Sequence, residues 1–165
     1  MKHTGYTKKE KPILEQLILT IAYISFQRKY NRTTYSNDYK VRIAVIDSGN
    51  INNFSNVVDQ FNAIENSNNV TDNIGHGTAI IYKLNELYPN AEIIPIKITN
   101  NAENILPVNL AKGIIKAIEF NVDIISLSVG TTIDHNDIHE AIQQAIKKKI
   151  IIVSSAGNNK KQQLN

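Results

Sequence analysis

Apolar residues fall in short runs along this chain, and the runs alternate between two kinds. Val41-Arg42-Ile43-Ala44-Val45-Ile46 is β-branched and nearly continuous, and so are Ile93-Ile94-Pro95-Ile96-Lys97-Ile98, the stretch from Val122 to Leu127, and Ile150-Ile151-Ile152-Val153-Ser154. Each predicts a strand. Between these runs the apolar positions take helical spacing. Gly75 to Tyr88 reads as a helix with Ile80, Leu84 and Leu87 on one face, stopped by Pro89-Asn90. Pro107 starts a second, with Ala111, Ile114, Ile115 and Ile118 inward, and Ile138, Ala141, Ile142, Ala145 and Ile146 define a third. The Asn-rich connection up to Asn73 predicts a surface segment with a short strand near Val57 and Val58. Ahead of all this, Pro12 opens an amphipathic helix with Leu14, Leu17, Ile18 and Ile21 on one face, and polar residues 31–38 read as a linker.

Strands that are apolar at nearly every position are covered on both faces, and strands separated by helices pair in parallel. The expected architecture is therefore a three-layer α/β/α domain with a parallel sheet over residues 39–165, preceded by a helix and linker over 1–38. In such sheets ligands bind beyond the carboxyl ends of the strands.

Composition narrows the function more than the fold. The 165 residues suit one domain, and no run of about 18 uncharged apolar residues exists to span a membrane. The net charge of +3 is spread over short clusters such as Lys8/Lys9/Lys11, Arg28/Lys29 and Lys147 to Lys149, with aromatics at only 7%, so nucleic acid is not an expected partner. With no cysteine in the chain, disulfides, thiol nucleophiles and thiolate metal sites are excluded. The apolar stretch from Leu17 to Phe26 is followed by Arg28-Lys29-Tyr30-Asn31 without a small-residue cleavage site. The expected location is thus the cytoplasm, with secretion as the alternative.

Three groups at strand ends or helix starts carry chemistry. Asp47 closes the first strand, where a carboxylate could hold a histidine, although an aspartate in Asp-Ser-Gly also caps turns. His76 lies in Gly75-His76-Gly77-Thr78 at a helix start, where it could equally be a cap or a surface residue. Asn158 follows Ser155-Ala156-Gly157 after the last strand, where its amide could donate to an oxyanion, or simply belong to a turn.

Taken in order, these elements resemble the subtilisin-like serine proteases, the subtilases. Val41–Gly49 (VRIAVIDSG) matches the aspartate motif, Asp72–Thr78 (DNIGHGT) the histidine motif, Asp123–Gly130 (DIISLSVG) the substrate-binding strand, and Ile151–Asn158 (IIVSSAGN) the oxyanion segment. The resemblance implies that Asp47 orients His76, that His76 is the general base and then acid, and that Asn158 stabilises the tetrahedral oxyanion. It further implies that Ser128, Val129 and Gly130 pair with an extended peptide or protein substrate, and that Ser155, Ala156 and Gly157 wall a specificity pocket.

The resemblance also has gaps. No Gly-Thr-Ser-Met-Ala-like motif occurs, and no serine in the chain fits the nucleophile's place: Ser48 adjoins the aspartate, Ser126 and Ser128 belong to the sheet, and Ser154 and Ser155 precede the oxyanion amide. Ala79-Ile80-Ile81-Tyr82 stands where the family usually continues His-Val-Ala-Gly. The turn from Tyr88 to Glu92 is too short for the calcium loop of many relatives, so no calcium is expected at that place; no other metal and no cofactor is expected either. With about forty residues before the first strand, no prodomain is evident. Read this way, the domain is subtilisin-like but incomplete at its C-terminal side. The leading expectation is the N-terminal part of a serine endopeptidase. The alternatives are a pseudoprotease that only binds peptides, and half of a split enzyme completed by a second polypeptide carrying the serine.

Overall fold

A computed structural model of the chain describes residues 39–101, 105–128 and 135–154. Among them the elements run β1 (Arg42–Asp47), β2 (Phe61–Asn62), α1 (His76–Leu87), β3 (Glu92–Lys97), α2 (Pro107–Glu119), β4 (Ile124–Leu127), α3 (Asn136–Lys147) and β5 (Ile151–Ser154). The expected helix before residue 38 lies outside the described residues. The strands form one five-stranded parallel sheet in the order β2-β3-β1-β4-β5.

The two-residue period of a strand divides the core. From β1, Ala44 and Ile46 join Ile94, Ile96 and Ile125 under α2 and α3, with Leu110, Ile114, Ala141 and Ala145 from those helices. Ile43 and Val45 point the other way and pack with Ile93, Ile124 and Val153 against Ile80, Ile81 and Leu84 of α1. Helices therefore cover both faces, as continuous apolar strands require. Chain order and strand order diverge at β1: the connection through α1 leads to β3 on one side, and that through α2 leads to β4 on the other.

Polar groups at the amino rim tie the strands together. Asp123, just before β4, accepts the Arg42 backbone N–H at 2.8 Å and the Tyr39 hydroxyl at 2.6 Å. The Arg42 guanidinium donates to Glu92 at 2.6 Å and to the Phe120 carbonyl at 3.2 Å. This rim is occupied by structural contacts, and at the opposite rim Asp47 ends β1 beside its register partner Lys97 of β3.

Three sequence expectations need correction. The short strand is Phe61–Asn62, pairing with Ile96 and Lys97, whereas Val57 makes a single bridge to Ile93. Leu87 is exposed: the buried face of α1 runs through Gly77, Ile80, Ile81 and Leu84 with Tyr88 packed beyond them, and Leu87 lies to the side of it. Ile146 is likewise exposed, at the end of α3.

Candidate active site

Asp47 is the last residue of β1 and continues the series Ile43, Val45 onto the α1 side of the sheet. Its side chain is 2% exposed. His76 is the first residue of α1 and lies 29 residues along the chain, yet its Nδ1 stands 2.8 Å from Asp47 Oδ1 and 2.9 Å from Oδ2. The Ser48 backbone N–H also donates to Oδ1, at 2.7 Å. A carboxylate surrounded by donors favours the imidazole form with its proton on Nδ1 and its lone pair on Nε2. That form can take a proton from a hydroxyl and is steadied by the carboxylate once charged. The imidazole keeps 30% of its surface exposed, so the buried carboxylate sits behind an accessible ring.

The glycines flanking His76 act differently from each other. Gly75 has φ 92°, a left-handed conformation that turns the chain into α1, and a side chain there would meet nothing within 4 Å. Gly77 is needed for space: a Cβ would lie 2.4 Å from the Gly49 carbonyl oxygen and 3.1 Å from Asp47 Cβ. Its N–H donates to Ser48 Oγ at 3.0 Å, which fastens the start of α1 to the residue after Asp47.

Asp72, which the sequence reading included in the histidine motif without a role of its own, is buried at 8% exposure and binds this turn. Its Oδ1 accepts the N–H groups of Ile74 and Gly75 at 2.9 and 2.8 Å, and Oδ2 accepts the Thr78 N–H at 3.0 Å and hydroxyl at 2.7 Å. Burial pushes its pKa up, but the Thr78 hydroxyl and the N–H groups of Gly75, Thr78 and Ile74 outweigh that and lower it to about 2. The available signal was a carboxylate four residues ahead of the histidine, hidden in a segment crowded with asparagine.

β4 and β5 reach the same rim, ending at the register partners Leu127 and Ser154. Ser128 follows β4 directly and is half-buried. Val129, Gly130, Ser155, Ala156, Gly157 and Asn158 lie outside the described residues. Ser48 and Ser126 are both buried, Ser48 at the Gly77 contact and Ser126 within β4 opposite Val45. Among the described residues no group of histidine and carboxylate side chains could hold a metal ion, and no helix is long and apolar enough to cross a membrane. A groove of about 410 Å³ between α2 and α3 lies on the opposite face of the sheet from Asp47.

Comparison with known proteins bears on this arrangement. The profile of the Subtilase family matches residues 26–165. The minor extracellular protease Epr of Bacillus subtilis is 29% identical over 119 residues, 66% of this chain and 18% of its own length. A thermostable alkaline protease of Halalkalibacterium halodurans is 28% identical over 135 residues, 76% of this chain and 37% of its own. The chain thus spans well under half the length of these relatives. Among solved structures, a lanthipeptide protease superposes with a TM-score of 0.64 at 25% identity, covering 80% of this chain and 43% of that one. A cold-adapted subtilisin-like serine proteinase does so with a TM-score of 0.64 at 20% identity, covering 78% of this chain and 51% of its own, a likeness of fold. With the profile extending through the aspartate and histidine motifs and the parallel sheet shared with these structures, the chain belongs to the subtilase family.

Proposed function

We propose that this chain carries the base side of a subtilisin-like serine endopeptidase, with Asp47 orienting His76 and His76 moving the proton during peptide-bond hydrolysis. The observation that carries this reading is the contact of His76 Nδ1 with both oxygens of a buried carboxylate, at 2.8 and 2.9 Å, on a family member's strand-end aspartate. Asn158 is the donor to the oxyanion. Ser128, Val129 and Gly130 hold an extended peptide by backbone pairing, with Ser155, Ala156 and Gly157 beside its side chain. The nucleophilic serine comes from sequence beyond these 165 residues, in the same polypeptide or in a second one. A relative named as an extracellular protease supports a site of action outside the cell, against the cytoplasmic expectation.

The test is labelling by a fluorophosphonate, which needs an activated serine. The 165-residue chain alone is expected to give no adduct. Expressed with the sequence that follows it in its own genome, it is expected to label at a serine outside residues 1–165, and His76→Ala is expected to cut turnover by about 10⁴- to 10⁶-fold. An adduct on one of this chain's own serines, or labelling and turnover indifferent to His76→Ala, overturns the reading.

A further inference from the structure

We propose that Asp72 is the positioning residue of His76: its carboxylate holds the turn that presents the imidazole to Asp47, without itself touching substrate. This rests on reading Asp47 and His76 as the working pair. The four donors that Asp72 accepts come from Ile74 and Gly75, just before His76, and from Thr78, just after it. One buried carboxylate thus grips the backbone on both sides of the histidine.

The start of α1 needs such a group. Its N-cap, Gly75, has no side chain to offer, and the first turn contains no acidic residue. The first N–H groups of a helix have no partner within it, and they favour a negative charge nearby. Asp72 meets that need from outside the helix, through the N–H and hydroxyl of Thr78.

Asp72 is itself held to the strands that define the site. Val70, two residues earlier, accepts the Asn50 N–H at 2.8 Å, which ties the segment to the exit of β1. The adjacent Thr71 carbonyl accepts the ammonium of Lys97, a lysine only 3% exposed at the end of β3. Lys97 is the register partner of Asp47. Both carboxylates are therefore referenced to the same pair of strand ends, Asp47 by the backbone of β1 and Asp72 through residues 70 and 71. Turning α1 relative to the sheet would break the Asp72 contacts before it broke the sheet.

The experiment is nitrogen-15 histidine NMR on the full 165-residue chain, reading the tautomer of His76 and the solvent exchange of its Nδ1 proton. Wild type is expected to hold the Nδ1-protonated form. Asp72→Asn and Thr78→Val are expected to shift His76 toward the other tautomer and to speed exchange of the Nδ1 proton by about tenfold or more, as befits a weakened charge-assisted hydrogen bond. Thr78→Ser, which keeps the hydroxyl, is expected to behave as wild type. Folding of each variant is checked on the amides of β1 and β3, and if Asp72→Asn does not fold, Thr78→Val decides. Folded variants with wild-type His76 signals overturn the proposal. Asp47→Asn separates the two levels: if it too leaves His76 unchanged, the pairing beneath the proposal fails, whereas a response to Asp47→Asn alone rejects only the role of Asp72.

Discussion

Gly77 is where the histidine's placement is most sensitive to a single atom group. Gly77→Ala would put a methyl 2.4 Å from the Gly49 carbonyl, which is backbone and cannot swing aside, so α1 must move off the end of β1. The expected cost is about 1–3 kcal/mol, the range of overpacking in a tight site, read as a lowered thermal midpoint together with loss of the His76 Nδ1 proton signal. Asp72 makes a different prediction. Its pKa is lowered to about 2 from an ordinary 3.8, so its contribution is complete above pH 4 and is lost as pH falls toward 2. Asp72→Asn is expected to remove about 2 kcal/mol at neutral pH and to flatten the acid limb of a stability–pH curve between those values. A parallel loss at every pH would contradict the assignment. Asp47 and His76 could be picked out in the sequence because a polar residue ending an apolar strand, and a histidine between glycines, are conspicuous against their neighbours. Asp72 was not, since its importance lies in four contacts made by folding, and residues 66–73 offer several side chains equally able to turn a chain.

Elements declared themselves where burial repeats. β1, β3 and β5 were legible as runs of Ile and Val because both faces of the sheet are covered, and their boundaries moved by a single residue. β2 was not, because two residues carry no period, and its place is set by pairing with Ile96 and Lys97. Helix faces were legible at Ile80, Leu84, Ile138 and Ala141 and misread at Leu87 and Ile146, which are exposed although Leu84 and Ala145 in the same last turns are fully buried. A paired measurement checks this. Ile114→Ala, at a fully buried position of α2, is expected to cost about 2–5 kcal/mol, and Ile146→Ala, at an exposed position of α3, less than about 0.5 kcal/mol, by denaturant midpoint at unchanged slope.

Across the whole molecule, β1 belongs to both cores, with Ala44 and Ile46 in one and Ile43 and Val45 in the other. Damage on either side should therefore propagate through the same strand. Leu84→Ala under α1 and Ile114→Ala under α2 are expected each to lower one shared unfolding transition, coincident by far-ultraviolet dichroism and by amide exchange. Separate transitions would mean that the sheet does not couple its faces. The whole-molecule property that sequence conveyed best was the layered α/β architecture. The strand order was not legible in the runs themselves, because a run of Ile and Val records that a strand is buried and not beside which neighbour. The narrow span of the dyad's framework has a temporal meaning. Asp47, Ser48, Asp72, His76, Gly77, Thr78 and Lys97 all precede α2, so during synthesis these contacts around the His76 turn emerge before β4 and β5 exist. At ribosomal rates of roughly 5–20 residues per second, the remaining described strands follow over some seconds. The Asp47–His76 contact is thus supplied by the early half of the described residues, and the later strands are added beside it.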